Sequence, residues 1–149
     1  MIRKDLDMLS KLSQFSRSAS RNHIAFVQGN VESLEYVDLG YELSSKIEDI
    51  LTDRRLSMKA QDYLKSIIMS NIHKDNDLGE YIAIKNIGIL FEPELNFSLE
   101  ALFNSWSQNT LLIVNIANGN VDNKRFFLED GCPIQYSVDL KDFNYLIIQ

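Results

Sequence analysis

Four stretches of the chain carry residue types that could do chemistry. Gln28-Gly29-Asn30-Val31-Glu32 follows the apolar run Ile24-Ala-Phe-Val27. A phosphate cradle there would need a glycine-rich loop, a lysine for the β and γ phosphates and a Ser or Thr for magnesium, all opening a helix whose first amides face the anion. Of that set only Gly29 is present, and one glycine after a strand reads as a turn. Lys85-Asn86-Ile87-Gly88 follows Tyr81-Ile-Ala-Ile84, where a nucleotide hydrolase carries an acid for magnesium and often a second acid to orient water. Lys85 puts a cation in that place. Neither His23 nor His73 has an adjacent Ser or Cys, and nothing beside Cys132 would lower its pKa. Glu92 and Glu94 flank Pro93 and could in principle divide acid and base roles, but turn composition directs both to solvent. The expectation is no catalytic, cofactor-binding or metal-binding residue.

The elements that must position these stretches follow from periodicity. Ile2, Leu6, Leu9, Leu12 and Phe15 recur at steps of three and four, which predicts an amphipathic helix fading in the serine-rich segment 16–22. Segments 23–29 and 34–39 read as strands, the second closed by Gly40. Leu43, Ile47, Ile50 and Leu51 predict a helix over about 41–51. Ala60, Tyr63, Leu64, Ile67, Ile68 and Ile72 predict a firmer one capped by Ser57. His73 to Gly79 reads as a loop, Tyr81–Ile84 as a third strand, and 85–97 as an ordered turn region containing Gly88 and Pro93. Ser98 is placed to cap a helix with Leu99, Leu102, Phe103 and Trp106 on one face, and Thr110–Asn115 is a buried strand ending before an Asn118-Gly119 turn. Arg125–Leu128, the alternating Ile134, Tyr136 and Val138, and Tyr145–Ile148 are shorter strands. The order β-β-α-α-β-α-β with a β-rich tail predicts one α/β domain over 1–149, three layers deep, with a largely parallel central sheet.

At 149 residues the chain has the length of one average domain and should bury roughly 70% of its unfolded surface. The composition, 45% hydrophobic and 24% charged with six Gly and two Pro, excludes collagenous, low-complexity and wholly disordered classes. No apolar run reaches membrane-span length and the start is not that of a secretory signal, so a cytoplasmic protein is expected. A single cysteine and two histidines argue against structural zinc. Residues 1–22 hold Arg3, Lys4, Lys11, Arg17 and Arg21 against Asp5 and Asp7, a net of +3, which leaves −9 for residues 23–149 of the total −6. An acidic body repels nucleic-acid phosphate, so direct nucleic-acid binding is not expected unless the basic segment works alone.

Asn86-Ile-Gly-Ile-Leu-Phe-Glu-Pro-Glu-Leu-Asn-Phe97, the helix end Ser105-Trp-Ser-Gln-Asn-Thr110 and the strand Leu111-Leu-Ile-Val-Asn115 resemble the C-terminal half of the small P-loop ATPase-like component of bacterial BREX (bacteriophage exclusion) systems. In that family an Asp-Asn pair, an apolar-Glu step, a Phe-acid-Pro-Glu-Leu stretch and a Ser-Arg-Asn-Arg/Thr helix end recur in this order. The resemblance covers residues 81–120 and, more weakly, Val37-Asp-Leu-Gly-Tyr-Glu-Leu-Ser44; the tail matches in length only. The departures fall on the chemistry. The family's Gly-Lys-Ser/Thr loop and its helix have only about half a dozen residues to occupy before Tyr36. Lys85 stands at the Walker B aspartate position and Gly88 at that of the following glutamate.

The resemblance implies a degenerate P-loop-like fold without cofactor, acting as a non-catalytic assembly or regulatory subunit of a phage-defence complex. Its partners would be other protein subunits, with no membrane contact, and homo-oligomerisation is compatible with it. The partner surface is expected at Phe91, Glu92, Pro93 and Glu94 with Asn109. Pro93 stiffens the turn and the glutamates supply charge, while Phe91 serves either as an aromatic anchor or as core. The N-terminal helix packs either on its own sheet or on another chain. Two other classes stay open: an enzyme with an unrecognised site, such as a metal-dependent nuclease, and a DNA-contacting accessory protein using Arg3, Lys4, Arg17 and Arg21.

Overall fold

Ile24–Val27 and Leu111–Val114 are unbroken apolar runs rather than alternating ones, which requires strands covered on both faces. The computed structural model, which describes residues 3–29, 31 and 33–149, places them side by side in the middle of a parallel sheet. The elements in chain order begin with α1 (Arg3–Ser16), β1 (Ile24–Val27), β2 (Tyr36–Asp38) and α2 (Leu39–Ile47), which tightens into a 3-10 turn over Glu48–Ile50. There follow α3 (Leu56–Ser70), β3 (His73–Asp75), β4 (Gly79–Lys85), 3-10 turns at Gly88–Phe91 and Pro93–Leu95, α4 (Leu99–Ser107) and β5 (Leu111–Asn115). β6 (Asn120–Asp122), β7 (Arg125–Phe127), β8 (Ser137–Asp139) and β9 (Tyr145–Ile148) complete the chain.

The main sheet has the order β2-β4-β5-β1-β9, all parallel, and β3 pairs antiparallel with the start of β4. Ile24 lies level with Leu112 on one side and Tyr145 on the other, and Ile82 continues that row on β4. Alternation then sorts the side chains. Ile24, Phe26, Ile82, Ile84, Leu112 and Val114 share a core with α2, α3, α4 and the small antiparallel sheet β6-β7-β8, which contributes Phe126 and Val138. Ala25, Val27, Ala83, Leu111 and Ile113 share the opposite core with Met8 and Leu12 of α1 and with Val31 and Leu34 of the β1-β2 connection. This is the three-layer α/β architecture with a mostly parallel sheet that the order of elements predicts.

Several details differ from the sequence reading, each for a physical reason. The buried face of α1 is Asp5, Met8 and Leu12, with Leu9 and Phe15 half-buried, while Leu6 is 55% exposed; Ile2 lies outside the described residues. The helix is thus rotated from the expected stripe. Its last turns are pinned at the foot of β4, where the Ser13 and Ser16 hydroxyls donate to the carbonyls of Asp77 and Leu78. The rotation buries Asp5, which is 3% exposed and whose Oδ2 has no hydrogen-bond partner among the described residues. Met8 and Leu12 outweigh that cost, since each contributes about 1.5–3 kcal/mol by burial against about 1–3 kcal/mol for one unmet polar group.

His73–Asp75 is a strand rather than a loop, because it forms a hairpin with β4 closed by the Asp75 carboxylate, which accepts the amides of Asp77 and Leu78. Gly40 does not close a strand. It lies in the first turn of α2, since Asp38 already caps that helix by accepting the Tyr41 amide at 2.9 Å. Ser57 lies inside α3 and spends its hydroxyl on the Leu95 carbonyl, and Ser98 occupies the N-cap position of α4 without a side-chain cap bond. The ordered turn region expected over 85–97 contains two 3-10 turns, Gly88–Phe91 and Pro93–Leu95, and among the described residues no helix is long and apolar enough to cross a membrane.

The rotation of α1 is testable by truncating one residue from each face. Leu12→Ala should cost about 2–5 kcal/mol of unfolding free energy, whereas Leu6→Ala should stay within about 0.5 kcal/mol, both read from denaturant melts.

Candidate functional site

In a parallel sheet the place for a ligand is beyond the carboxyl ends of the strands, at the point where successive connections leave in opposite directions. Here β1 lies inside the sheet, with β5 on one side and β9 on the other. The residues that emerge at this edge are Gln28 and Gly29 after β1, Asp38 at the end of β2, Lys85 at the end of β4 with Asn86 after it, and Asn115 at the end of β5. Asn30 and Glu32 of the loop after β1 lie outside the described residues.

This edge is tied together by its own side chains. Asn86 has a left-handed backbone, φ 53°, which turns its amide toward α2. Its Nδ2 donates to Asp38 Oδ1 at 2.8 Å, and its carbonyl accepts the Gly40 amide at 2.9 Å. One Asp38 oxygen therefore receives both the helix-cap hydrogen bond from Tyr41 and the Asn86 amide. The Tyr41 amide first, then the Asn86 side chain and the nearby Lys85 charge, hold the Asp38 carboxyl below the usual carboxylate range. Gly40 is the residue that permits this contact: a Cβ there would stand 2.8 Å from Asn86 Cγ and 3.0 Å from its carbonyl oxygen. On the neighbouring strands Asn115 plays a similar part. Its Nδ2 donates to the Gly29 carbonyl at 3.1 Å and its Oδ1 accepts the Ala117 amide at 2.9 Å, joining the loops after β1 and β5.

The chemistry available is limited. β1 and β2 are joined by the eight residues 28–35, whereas a parallel crossover that contains a helix takes at least about 10–12. Lys85 is exposed beside Asp38, so that position presents a cation. Among the described residues no three His, Cys, Asp or Glu side chains gather as metal ligands. The histidines stand elsewhere. His23 is bonded through Nε2 to the Ser18 carbonyl and packs edge-on to Phe15, while His73 Nδ1 lies 3.2 Å from Glu35 and its ring packs on Tyr81. The His73–Glu35 pair joins residues 38 positions apart and has no local pattern that would have disclosed it. Its companion hydroxyl is that of Tyr81, which accepts the Glu35 amide at 3.3 Å, and burial raises the Tyr81 pKa.

The expected interaction residues divide. Phe91 is 8% exposed and belongs to the core shared by α2, α3 and the sheet, so it is not an exposed anchor; the apolar neighbours that bury it come from distant segments. Glu92, Pro93 and Glu94 are exposed. Asn109 is exposed but stands before β5, at the opposite edge of the sheet, with all of α4, about 13 Å of helix, between it and Glu94. The structure does not bring it to the acidic turn. Glu92 and Glu94 instead meet Glu48 and the apolar Ile47, Leu51 and Ile89 around a groove of about 540 Å³. No residue before 57 was expected in that surface, because the groove exists only once α2 packs on the 88–95 turns. A larger groove, about 640 Å³, runs between α3 and α4 past Trp106.

Comparison with protein families, with curated proteins and with solved structures finds no match to this chain.

Two measurements test the carboxyl edge. Gly40→Ala should destabilise by about 1–3 kcal/mol through overpacking, although Gly→Ala inside a helix normally stabilises, and most of that cost should vanish in an Asn86→Ala background. For Asp38, a folded pKa below the unfolded one means that its ionised form stabilises above the unfolded pKa and that this contribution is lost as pH falls through the folded value. The stability gap between wild type and Asp38→Asn should therefore be constant near neutrality and shrink below about pH 4.

Proposed function

We propose that this chain is a non-catalytic assembly or regulatory subunit of a bacterial anti-phage defence system, built on a degenerate P-loop-like fold and acting by binding other proteins. One observation carries the reading. At the switch point of a parallel α/β sheet, where nucleotides bind in folds of this type, the strand-to-strand connection is too short for a phosphate loop and its helix. The neighbouring strand ends are also bonded to one another through Asn86, Asp38 and Asn115. The resemblance over residues 81–120 supplies the defence context, and the acidic groove beside the 88–95 turns supplies a surface for a protein partner. Without the lysine, the hydroxyl and the acid that would be aimed at phosphate and magnesium, ATP loses the charge-assisted contacts on which its binding depends.

Isothermal titration with ATP and magnesium should give no binding heat. A dissociation constant below about 100 μM, roughly −5.5 kcal/mol, ends the pseudo-ATPase reading. In the native host the tagged chain should co-purify with the proteins encoded beside it, and a chain recovered alone at low salt removes the assembly role.

A further inference from the structure

We infer that the groove formed by the end of α2, the Glu48–Ile50 turn, the start of α3 and the 88–95 turns is a docking site for a cationic amphipathic helix of a partner protein. The inference deepens the assembly reading and rests on it. Leu51 stands at the lip of the groove, 60% exposed, and the half-buried Leu56 and Ile89 continue the apolar lining down to the buried Ile47 and Leu95. Glu48, Glu92 and Glu94 are the charged residues of this lining, and all three are carboxylates. Three like charges around an apolar surface repel each other until a partner brings cations, so the complementary ligand carries Lys or Arg at its margins and apolar side chains at its centre. The same charges turn away nucleic-acid phosphate and acidic peptides.

The walls decide the partner's backbone. They are helices and 3-10 turns, closed within themselves by bonds such as those from the Glu92 amide to the Ile89 carbonyl and from the Leu95 amide to the Glu92 carbonyl. Among the described residues no strand lines the groove, so an extended peptide would find no ladder to join there and would bury unpaired backbone groups. A helix satisfies its own backbone and can insert side chains at i, i+3 and i+4, the helix-in-groove mode. Pro93 and the left-handed Asn96 that ends its turn hold the acidic wall in one conformation, so little order has to be imposed on binding. The larger groove between α3 and α4 offers no such argument, since Asp62 and Lys65 give its lining both signs of charge.

The test uses a fluorescein-labelled synthetic helix of about four turns, with Leu along one face and Lys on the rest, and a second peptide with Glu in place of Lys. Anisotropy at low salt should show binding of the Lys peptide to the full chain and none of the Glu peptide. Glu92→Lys/Glu94→Lys should weaken the Lys peptide at least about tenfold, in a salt-dependent way. Leu51→Ser should weaken it several-fold at every salt concentration. Asp122→Lys/Glu129→Lys, which inverts two exposed acids at the other sheet, should change it by less than about twofold. Thermal melts establish that each variant is folded; should the double glutamate variant unfold, Leu51→Ser and Glu48→Gln carry the measurement. Equal binding by the groove variants and wild type overturns the proposal, and so does an equal loss in the Asp122→Lys/Glu129→Lys control, which would mark adhesion to acidic surface in general. Failure here with a silent ATP titration removes the groove alone, whereas ATP binding with the groove contact intact removes the pseudo-ATPase reading alone.

Discussion

Ile24, Ala25, Phe26 and Val27 are all fully buried, so both faces of β1 need a cover, and the chain has only eight residues between β1 and β2 from which to build one. On one face α2, α3, α4 and the small sheet provide it. The other face cannot be covered by a crossover helix, because no such helix fits in residues 28–35. The cover comes from before the strand: α1 lies on Ala25, Val27, Leu111 and Ile113, with Val31 and Leu34 of the short connection beside it. Without that helix a central parallel strand would be left with one wet face, a condition parallel sheets rarely tolerate.

The cover has a cost at one residue. To set Met8 and Leu12 onto the sheet and to reach the carbonyls of Asp77 and Leu78 with Ser13 and Ser16, α1 turns Asp5 inward and Leu6 outward. Packing of two large apolar side chains over the middle strands prevails over the polarity of one residue in the first turns of the helix. Amphipathicity is therefore a guide to the existence of α1 and a poorer guide to its rotation.

The short connection also shapes the carboxyl edge. The Gly29 carbonyl accepts from Asn115, and the adjacent strand ends are joined by Asn86 and Asp38. These bonds tie the strand ends to one another across the edge. The exposed apolar and charged groups that suit a partner lie further out, where the 88–95 turns meet the end of α2, and Phe91 serves that surface by anchoring the turns in the core.

The sequence by itself determined the α/β class, the mostly parallel sheet, the four helices and the ordered turn region, because each is encoded by neighbours in the chain: unbroken apolar runs, three-and-four periodicity, and turn-forming residues. Only the tertiary structure decided the rotation of α1, the pairing of His73–Asp75 into the sheet, the burial of Phe91 and the separation of Asn109 from the acidic turn. It also decided that Glu48 and Leu51 stand beside Glu92 and Glu94. Each of these depends on which distant segment a side chain meets. A polar run such as 73–75 becomes a strand when a neighbouring strand offers unpaired backbone groups, and a phenylalanine in a turn becomes core when the turn is laid against a helix.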